Sequence, residues 1–252
     1  MDGNEFDADG SEFDAVVVGG GVAGLTAGTY LARHELDALV VDDGESILRR
    51  NAHLENVPGF PAGVNARLFL DLLSSQADRA GCERRDAAVE RVRTTDDGFA
   101  VETGDGATVR ARYVVAATKN ETSYLDGVEG VDLVDRGKTY VDADERGRTG
   151  VEGLYAAGRL AGKPHQTAVA AGHGAEVAVT LLEDDDRPFY HDWVAPEGYF
   201  TGRGRDVPPG CEELGDEERR RRERESLAVM RDHFDAPHPE DPEQHPSVAD
   251  EE

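Results

Sequence analysis

The sequence predicts an α/β fold: a parallel sheet covered by helices, carrying a small β-meander and followed by a C-terminal extension. Three stretches predict it. "FDAVVVGGGVAGLTAGTYLARHELDALVVDDG" reads without interruption as strand, turn, helix and strand. "VERVRTTDDGFAVETGDGATVRARYVVAAT" alternates apolar and polar residues between the turns "TDDG" and "GDG". "GLYAAGRLAGKPHQTAVAAGHG" starts like a buried strand, breaks at Gly158 and resumes as a helix of small residues.

The first stretch is the most specific. Ala15 to Val18 is an apolar, β-branched run of the kind that lies in a sheet covered on both faces. Gly19, Gly21 and Gly24 complete G-x-G-x-x-G, with Gly20, Val22 and Ala23 filling the turn. Ala23 to Ala32 reads as a helix, and Leu39 to Val41 as a second strand ending on Asp42 and Asp43. In a dinucleotide-binding unit the first glycine makes the tight turn, the second lets a diphosphate touch the backbone, and the third lets helix and strand pack closely. The helix N-terminus faces the phosphates, and the acid after the second strand takes a ribose hydroxyl.

The loop "GESILRRNAHLENVPGFPAG" follows, ended by its Pro and Gly residues. Val64 to Ala80 has helical spacing, with Leu68, Leu72 and Leu73 on one face. The meander then precedes a buried strand, Tyr113 to Ala117. Leu154 to Ala157 is another buried strand, and Gln166 to Leu182 a helix. After Glu183 the chain turns aromatic (Phe189, Tyr190, Trp193, Tyr199, Phe200), and such dense aromatics are expected to dock on a surface. "DEERRRRERESLAVMRDHFDA" is a helix with Asp216 as capping acid and an apolar patch of Leu227, Val229, Met230 and Phe234. The expected organisation is an acidic tail over 1–12, a binding domain over 13–183, and a partly disordered extension over 184–252.

The formal charge of −26, with Lys119, Lys138 and Lys163 as the only lysines, argues against nucleic acid and anionic membranes as partners. An acidic coat of this kind suits a halophilic, high-salt cytoplasm. The acidic "MDGNEFDADGSEFD" reads as neither secretory signal nor transit peptide, so a cytoplasmic location is expected. Cys82 and Cys211 belong to no C-x-x-C, which fits a reducing compartment and gives no metal site. The arginine run at 219–222 is interleaved with Glu and reads as a solvated helix face.

Three motifs, "VVVGGGVAGLTA" with Asp42, "ENVPGFPAG" and "GVEGLYAAGRLAGKPHQTAVAAGHG", carry a resemblance from about Phe13 to about Leu182. The chain resembles the FAD-binding half of the low-molecular-weight thioredoxin reductase family. "RRNAHLENVPG" is closer to the dithiol-oxidase branch of that family. The resemblance implies a Rossmann-like FAD-binding domain with FAD as cofactor. It implies that Gly158, His165, Gln166 and Thr167 contact the flavin, that Asn51 and Asn56 approach it from the loop, that the backbone of Val89 meets the adenine, and that Ala117 and Thr118 line the same groove.

The departures are as informative. Arg159 stands where the family usually has an Asp that binds a ribityl hydroxyl, and Lys119 where it has the Gly of Ala-Thr-Gly. An arginine at that turn is expected to reach the FAD diphosphate or a ribityl oxygen. Relatives carry a second dinucleotide domain between the buried strand and the last FAD segment; only residues 119–149 intervene here, enough for a short loop and one or two strands. No second G-x-G-x-x-G and no C-x-x-C is present. Three functions follow as expectations: a single-domain FAD-dependent oxidoreductase served by an unknown electron donor, NAD(P)H or a protein; a flavin-binding electron-transfer or regulatory module that needs a partner; or a non-catalytic FAD- or ADP-binding relic. A homodimer is an expected assembly. No side chain reads as nucleophile or proton donor; His53 and His165 are expected to bond rather than to transfer protons, and His173 to pack or face solvent.

Overall fold

The structure, a computed structural model, describes residues 11–245 and Ser247. Most of the expected acidic tail and the last residues of the extension lie outside the described residues. The chain divides into two units, one of residues 1–181 with 242–252, the other of residues 182–241.

The first unit is built on a seven-stranded sheet. β1 (Glu12–Val18) leads through the glycine turn into α1 (Val22–Arg33) and back into β2 (Ala38–Asp42). β2 pairs parallel to β1, with Val18 opposite Val41. Ala15 to Val18 are at most 2% exposed, so the β-branched run is covered on both faces. α2 (Ala66–Ala80) begins on Asn65, whose side chain accepts from the amides of Arg67 and Leu68, and ends on left-handed Gly81. Its buried face is Ala66 to Leu70 with Ala77; Leu72 and Leu73 are only partly covered. The apolar period placed that face too far along because Arg67 is itself buried. Its guanidinium donates to the carbonyls of Arg49 and Asn51, both at 2.9 Å, and so holds the preceding loop.

β3 (Glu83–Asp86) was not legible in the sequence. It is a charged edge strand, parallel to β2, and an edge needs no apolar pattern. β4 (Val89–Thr95), β5 (Gly98–Thr103) and β6 (Thr108–Ala116) form the meander. The third meander strand and the expected buried strand are one: β6 pairs antiparallel with β5 through Thr108–Ala111, parallel with β1 from Arg110 to Ala116, and parallel with β9 through Val114–Ala116. Between β6 and β9 (Leu154–Ala156), residues 119–149 hold a 3₁₀ turn at Ser123–Leu125 and the hairpin of β7 (Leu133–Asp135) and β8 (Thr139–Val141). α3 (Thr167–Asp184) follows another 3₁₀ turn, Gly158–Ala161.

In the second unit β10 (Trp193–Pro196) and β11 (Cys211–Leu214) pair parallel. Trp193, Tyr199 and Phe200 meet edge to face with centroids 4.6–5.7 Å apart. Three of the five dense aromatics thus pack on one another, and Tyr190 is exposed. α4 (Asp216–His233) has Gly215 rather than Asp216 as its N-cap; Asp216, Glu217 and Glu218 occupy the first turn instead, where acids complement the helix dipole. Its arginines pair along the helix, Arg219 with Glu223 and Arg221 with Glu218 and Glu225. No helix among the described residues is long and apolar enough to cross a membrane.

Candidate functional site

Four loops stand at the carboxyl ends of four adjacent parallel strands. Register fixes their order: Asp42 ends β2, Gly19–Gly21 follow β1, Ala117–Lys119 follow β6 and Gly158–Arg159 follow β9. Ligands of open α/β sheets bind outside such strand ends. A cleft of about 390 Å³ lies there, lined by Gly19, Gly21, Asp42, Asp43, Val89, Ala117 and Thr118 among the sequence-predicted residues. Ser46, Ala87, Ala88, Lys119 and Tyr124 also line it and were not predicted. Lys119 belongs to the Ala117-Thr118-Lys119 stretch, and the others come from loops and from a 3₁₀ turn that carry no motif.

The four glycines of the first turn have different reasons to be glycine. Gly19 has φ +104°, a left-handed conformation that side chains avoid. A methyl group on Gly20 would press on the Asp42 carboxylate at 2.7–2.8 Å, whereas Gly20 N–H donates to Asp42 Oδ1 at 2.7 Å. A methyl on Gly24 would overlap the Gly19 carbonyl oxygen. Gly21 is different. Its φ is −75°, and the nearest atom to a methyl there would be Ser46 Oγ at 3.8 Å. Nothing in the fold requires glycine at 21. A ligand backbone brought against that edge would require it.

Gly21 is also the N-cap of α1, without a side-chain cap, and the first turn carries no acid. The first-turn amides of such a helix lack intrahelical partners and attract anions. The side chain of Val22 is buried in the cluster with Leu48, Leu54 and Val64, and Ala23 is 7% exposed, so only their backbones can serve a ligand.

The second glycine turn packs on the same helix end. Methyl groups on Gly158 and Gly174 would both collide with Ala23. The poverty of bulk around Gly158 is therefore already demanded by close packing against α1. Gly158 N–H donates to His173 Nδ1 at 2.9 Å. His173 is 4% exposed, so of the two sequence alternatives it packs. Burial first, and then Lys163, hold its pKa below the ordinary imidazole value.

Thr118 bridges two elements: its Oγ1 donates to the Glu121 carbonyl at 2.6 Å and lies 2.9 Å from the buried Tyr124 hydroxyl. That hydroxyl has its pKa pushed up by burial. Thr118 thus faces the cleft with its side chain already engaged. Asn56 Nδ2 donates to Gln166 Oε1 at 2.8 Å, which joins the loop to the start of α3 beside His165 and the buried Thr167. Asn51, His165, Gln166 and Thr167 are not among the cleft-lining residues. The carbonyl of Asn51 is taken by Arg67. His53 Nδ1 pairs with Glu55 at 2.8 Å.

Comparison with known proteins places this geometry. Residues 17–79 match the NAD(P)-binding Rossmann-like domain, and residues 71–174 the pyridine nucleotide-disulphide oxidoreductase family. Each match spans less than half of the chain, and together they make residues 17–174 similar to a Rossmann-like, pyridine nucleotide-disulphide oxidoreductase-type nucleotide-binding unit, a class whose members bind FAD. Within it the similarity is to thioredoxin reductases. The bifunctional thioredoxin reductase/thioredoxin of Mycobacterium leprae is 35% identical over 127 residues, which cover 49% of this chain and 28% of that protein. The thioredoxin reductase of Listeria monocytogenes is 31% identical over 132 residues, 51% of this chain and 40% of that one. The chain thus matches well under half the length of these curated relatives. The T. acidophilum thioredoxin reductase superposes with a TM-score of 0.60 at 21% identity, covering 69% of this chain and 98% of that chain.

Proposed function

We propose that the chain is a single-domain FAD-dependent oxidoreductase of thioredoxin reductase type, working without that type's NADPH domain and redox disulfide. FAD would lie along the carboxyl ends of β2, β1, β6 and β9, with Asp42 and Val89 holding its adenosine, Gly21 and the start of α1 its diphosphate, and Asn56, His165 and Gln166 its flavin. The observation that carries this reading is Gly21, a glycine whose backbone and surroundings would accept a side chain unless a ligand lies against it.

Bound FAD would supply two-electron redox chemistry. The chain's own residues hold and orient it. Asp42 accepts from the amides of Gly20 (2.7 Å) and Gly44 (3.2 Å), so its carboxylate is held in place where a ribose hydroxyl would donate. With the flavin at that end, the start of α3 would present a helix N-terminus to the part of the ring that gains negative charge on reduction. Burial first, then Arg159 and Lys119, keep His165 below its ordinary pKa, and hence neutral near pH 7.

Cys82 and Cys211 are both free thiols. Burial pushes the Cys82 thiol up to about 11, far from a reactive thiolate. Electrons therefore come to the flavin from outside the chain, from NAD(P)H or from a protein donor. Stopped-flow mixing of the yellow protein with NADH or NADPH, alone and with lysate, tests this. Bleaching by the nucleotide alone supports a self-sufficient oxidoreductase, and bleaching only with lysate supports a partner-dependent module. A flavin that nothing reduces would overturn the oxidoreductase reading.

A further inference from the structure

Two departures from the family pattern fall side by side. Ala116 of β6 pairs with Ala156 of β9 in parallel register, and Ala157 N–H donates to the Ala116 carbonyl at 2.8 Å. Lys119 and Arg159 each stand three residues beyond that pair, so both occupy the same end of adjacent strands. Lys119 lines the cleft. Its φ is +66°, a left-handed conformation that costs a lysine energy and that a glycine would adopt freely. Arg159 is half-buried, and its Nε is buried without a hydrogen-bond partner.

The surroundings are cationic in a chain with a net charge of −26. Lys119 feels Lys138, Arg50 and Arg159 as like charges that, after burial, lower its pKa. None of these four cations forms an ion pair among the described residues, although the chain holds 53 acids to 27 basic residues. Arg50 and Lys138 are exposed, but Lys119 and Arg159 are partly buried, and like charges held together there are costly unless an anion joins them.

Charge also changes along the strand ends. Asp42, Asp43 and Glu45 stand at the β2 end, the glycine turn at β1, and Lys119 and Arg159 at β6 and β9. A dinucleotide laid with its ribose at Asp42 brings its diphosphate to the glycine turn, next to the two cations. Two backbone donors beside the α1 amides are already engaged: Gly20 N–H is held by Asp42 and Gly158 N–H by His173.

We propose that Lys119 and Arg159 form an anion clamp for a nucleoside diphosphate, which moves cofactor recognition from the ribityl chain to the ADP half. The proposal rests on the FAD reading above for the lie of the ligand. Two cations take the place of the neutral Gly and the ribityl-binding Asp of the family pattern. Arginine grips phosphate oxygens in a two-pronged fashion, and lysine adds a compact charge.

The test is calorimetric titration of flavin-free protein with FAD, ADP and inorganic pyrophosphate at one fixed salt concentration. Wild type is compared with Lys119→Gly, Arg159→Gln and Lys119→Gly/Arg159→Asp. The expected result is that wild type binds ADP within about tenfold of its FAD affinity. Each single variant then weakens ADP and pyrophosphate by about 10- to 150-fold, the range of one charge-assisted hydrogen bond. Lys119→Gly places glycine on a left-handed residue, so it folds even where the double variant does not. Variants that bind ADP and pyrophosphate like wild type overturn the clamp, and so does a wild type that binds FAD but neither of the other two. A wild type that binds pyrophosphate through these residues but not FAD keeps the clamp and removes the FAD reading.

Discussion

Gly21→Val is expected to leave the fold intact and abolish FAD binding, whereas Gly24→Ala is expected to damage the fold itself. At position 21 the backbone is at φ −75° and ψ −174°, open to any L residue, and the nearest neighbour of a new methyl is 3.8 Å away. Filling such a glycine gains about 0.4–1 kcal/mol by restricting the unfolded chain, and losing a glycine N-cap costs a few tenths up to ~1 kcal/mol. The net is within about 1 kcal/mol, a shift in Tm of roughly 2–4 °C at this size. The ligand loses far more. A side chain at 21 separates the diphosphate from the first-turn amides of α1, and two charge-assisted hydrogen bonds at about 1.5–3 kcal/mol each amount to about 10²- to 10⁴-fold in affinity. At position 24 the added methyl would overlap the Gly19 carbonyl and force α1 away from β1, an overpacking cost of about 1–3 kcal/mol or more. Thermal melts of the flavin-free proteins, paired with FAD titrations followed by flavin fluorescence, separate the two effects. Gly21→Val binding FAD as tightly as wild type would refute the placement of the diphosphate, and a Gly21→Val that fails to fold would show that position 21 has a structural role after all.

Three further outcomes are expected. Asp42→Ala strips Gly20 N–H of its acceptor and the ribose of its partner, and should weaken FAD by about 1–3 kcal/mol in the same titration; an undiminished affinity would move the adenosine elsewhere. Cys82→Ala/Cys211→Ala should retain every flavin-dependent activity of the parent, since the two thiols are free and Cys82 is 4% exposed; loss of turnover with flavin still bound would revive a dithiol mechanism. His173 has a folded-state pKa below its ordinary 6.5, so it binds fewer protons folded than unfolded, and its contribution to stability is complete above pH 6.5 and lost as pH falls through the lowered value. Denaturant melts should therefore show an acid-side decline that is flatter in His173→Gln, and identical pH dependence in the two proteins would contradict this.

Much of the first unit was legible because its signals are local. β1, α1 and β2 follow from a β-branched run, a glycine turn and an acid, all within residues 12–43, and the structure places Gly19, Gly21 and Asp42 at one cleft. The return strand at Leu154–Ala156 and the helix after it were legible for the same reason. What the sequence hid is set by pairing. β3 is all charge because it is an edge, and β6 runs through two sheet environments that alternate differently along its length. Arg67 lies inside because two carbonyls of a distant loop turn towards it. Ser46 and Ala87 reach the cleft from segments without a motif. The small residues around Gly158 were readable as a close approach, but not as an approach to Ala23.

The most direct test of the central claim, that this chain binds FAD at the strand ends around Gly21, is the flavin stoichiometry of the purified protein. Deflavinated wild type titrated with FAD is predicted to take up one flavin per chain and regain a flavin absorption spectrum, while folded Gly21→Val takes up none. A wild-type protein that stays colourless and leaves the fluorescence of added FAD unchanged would contradict the claim.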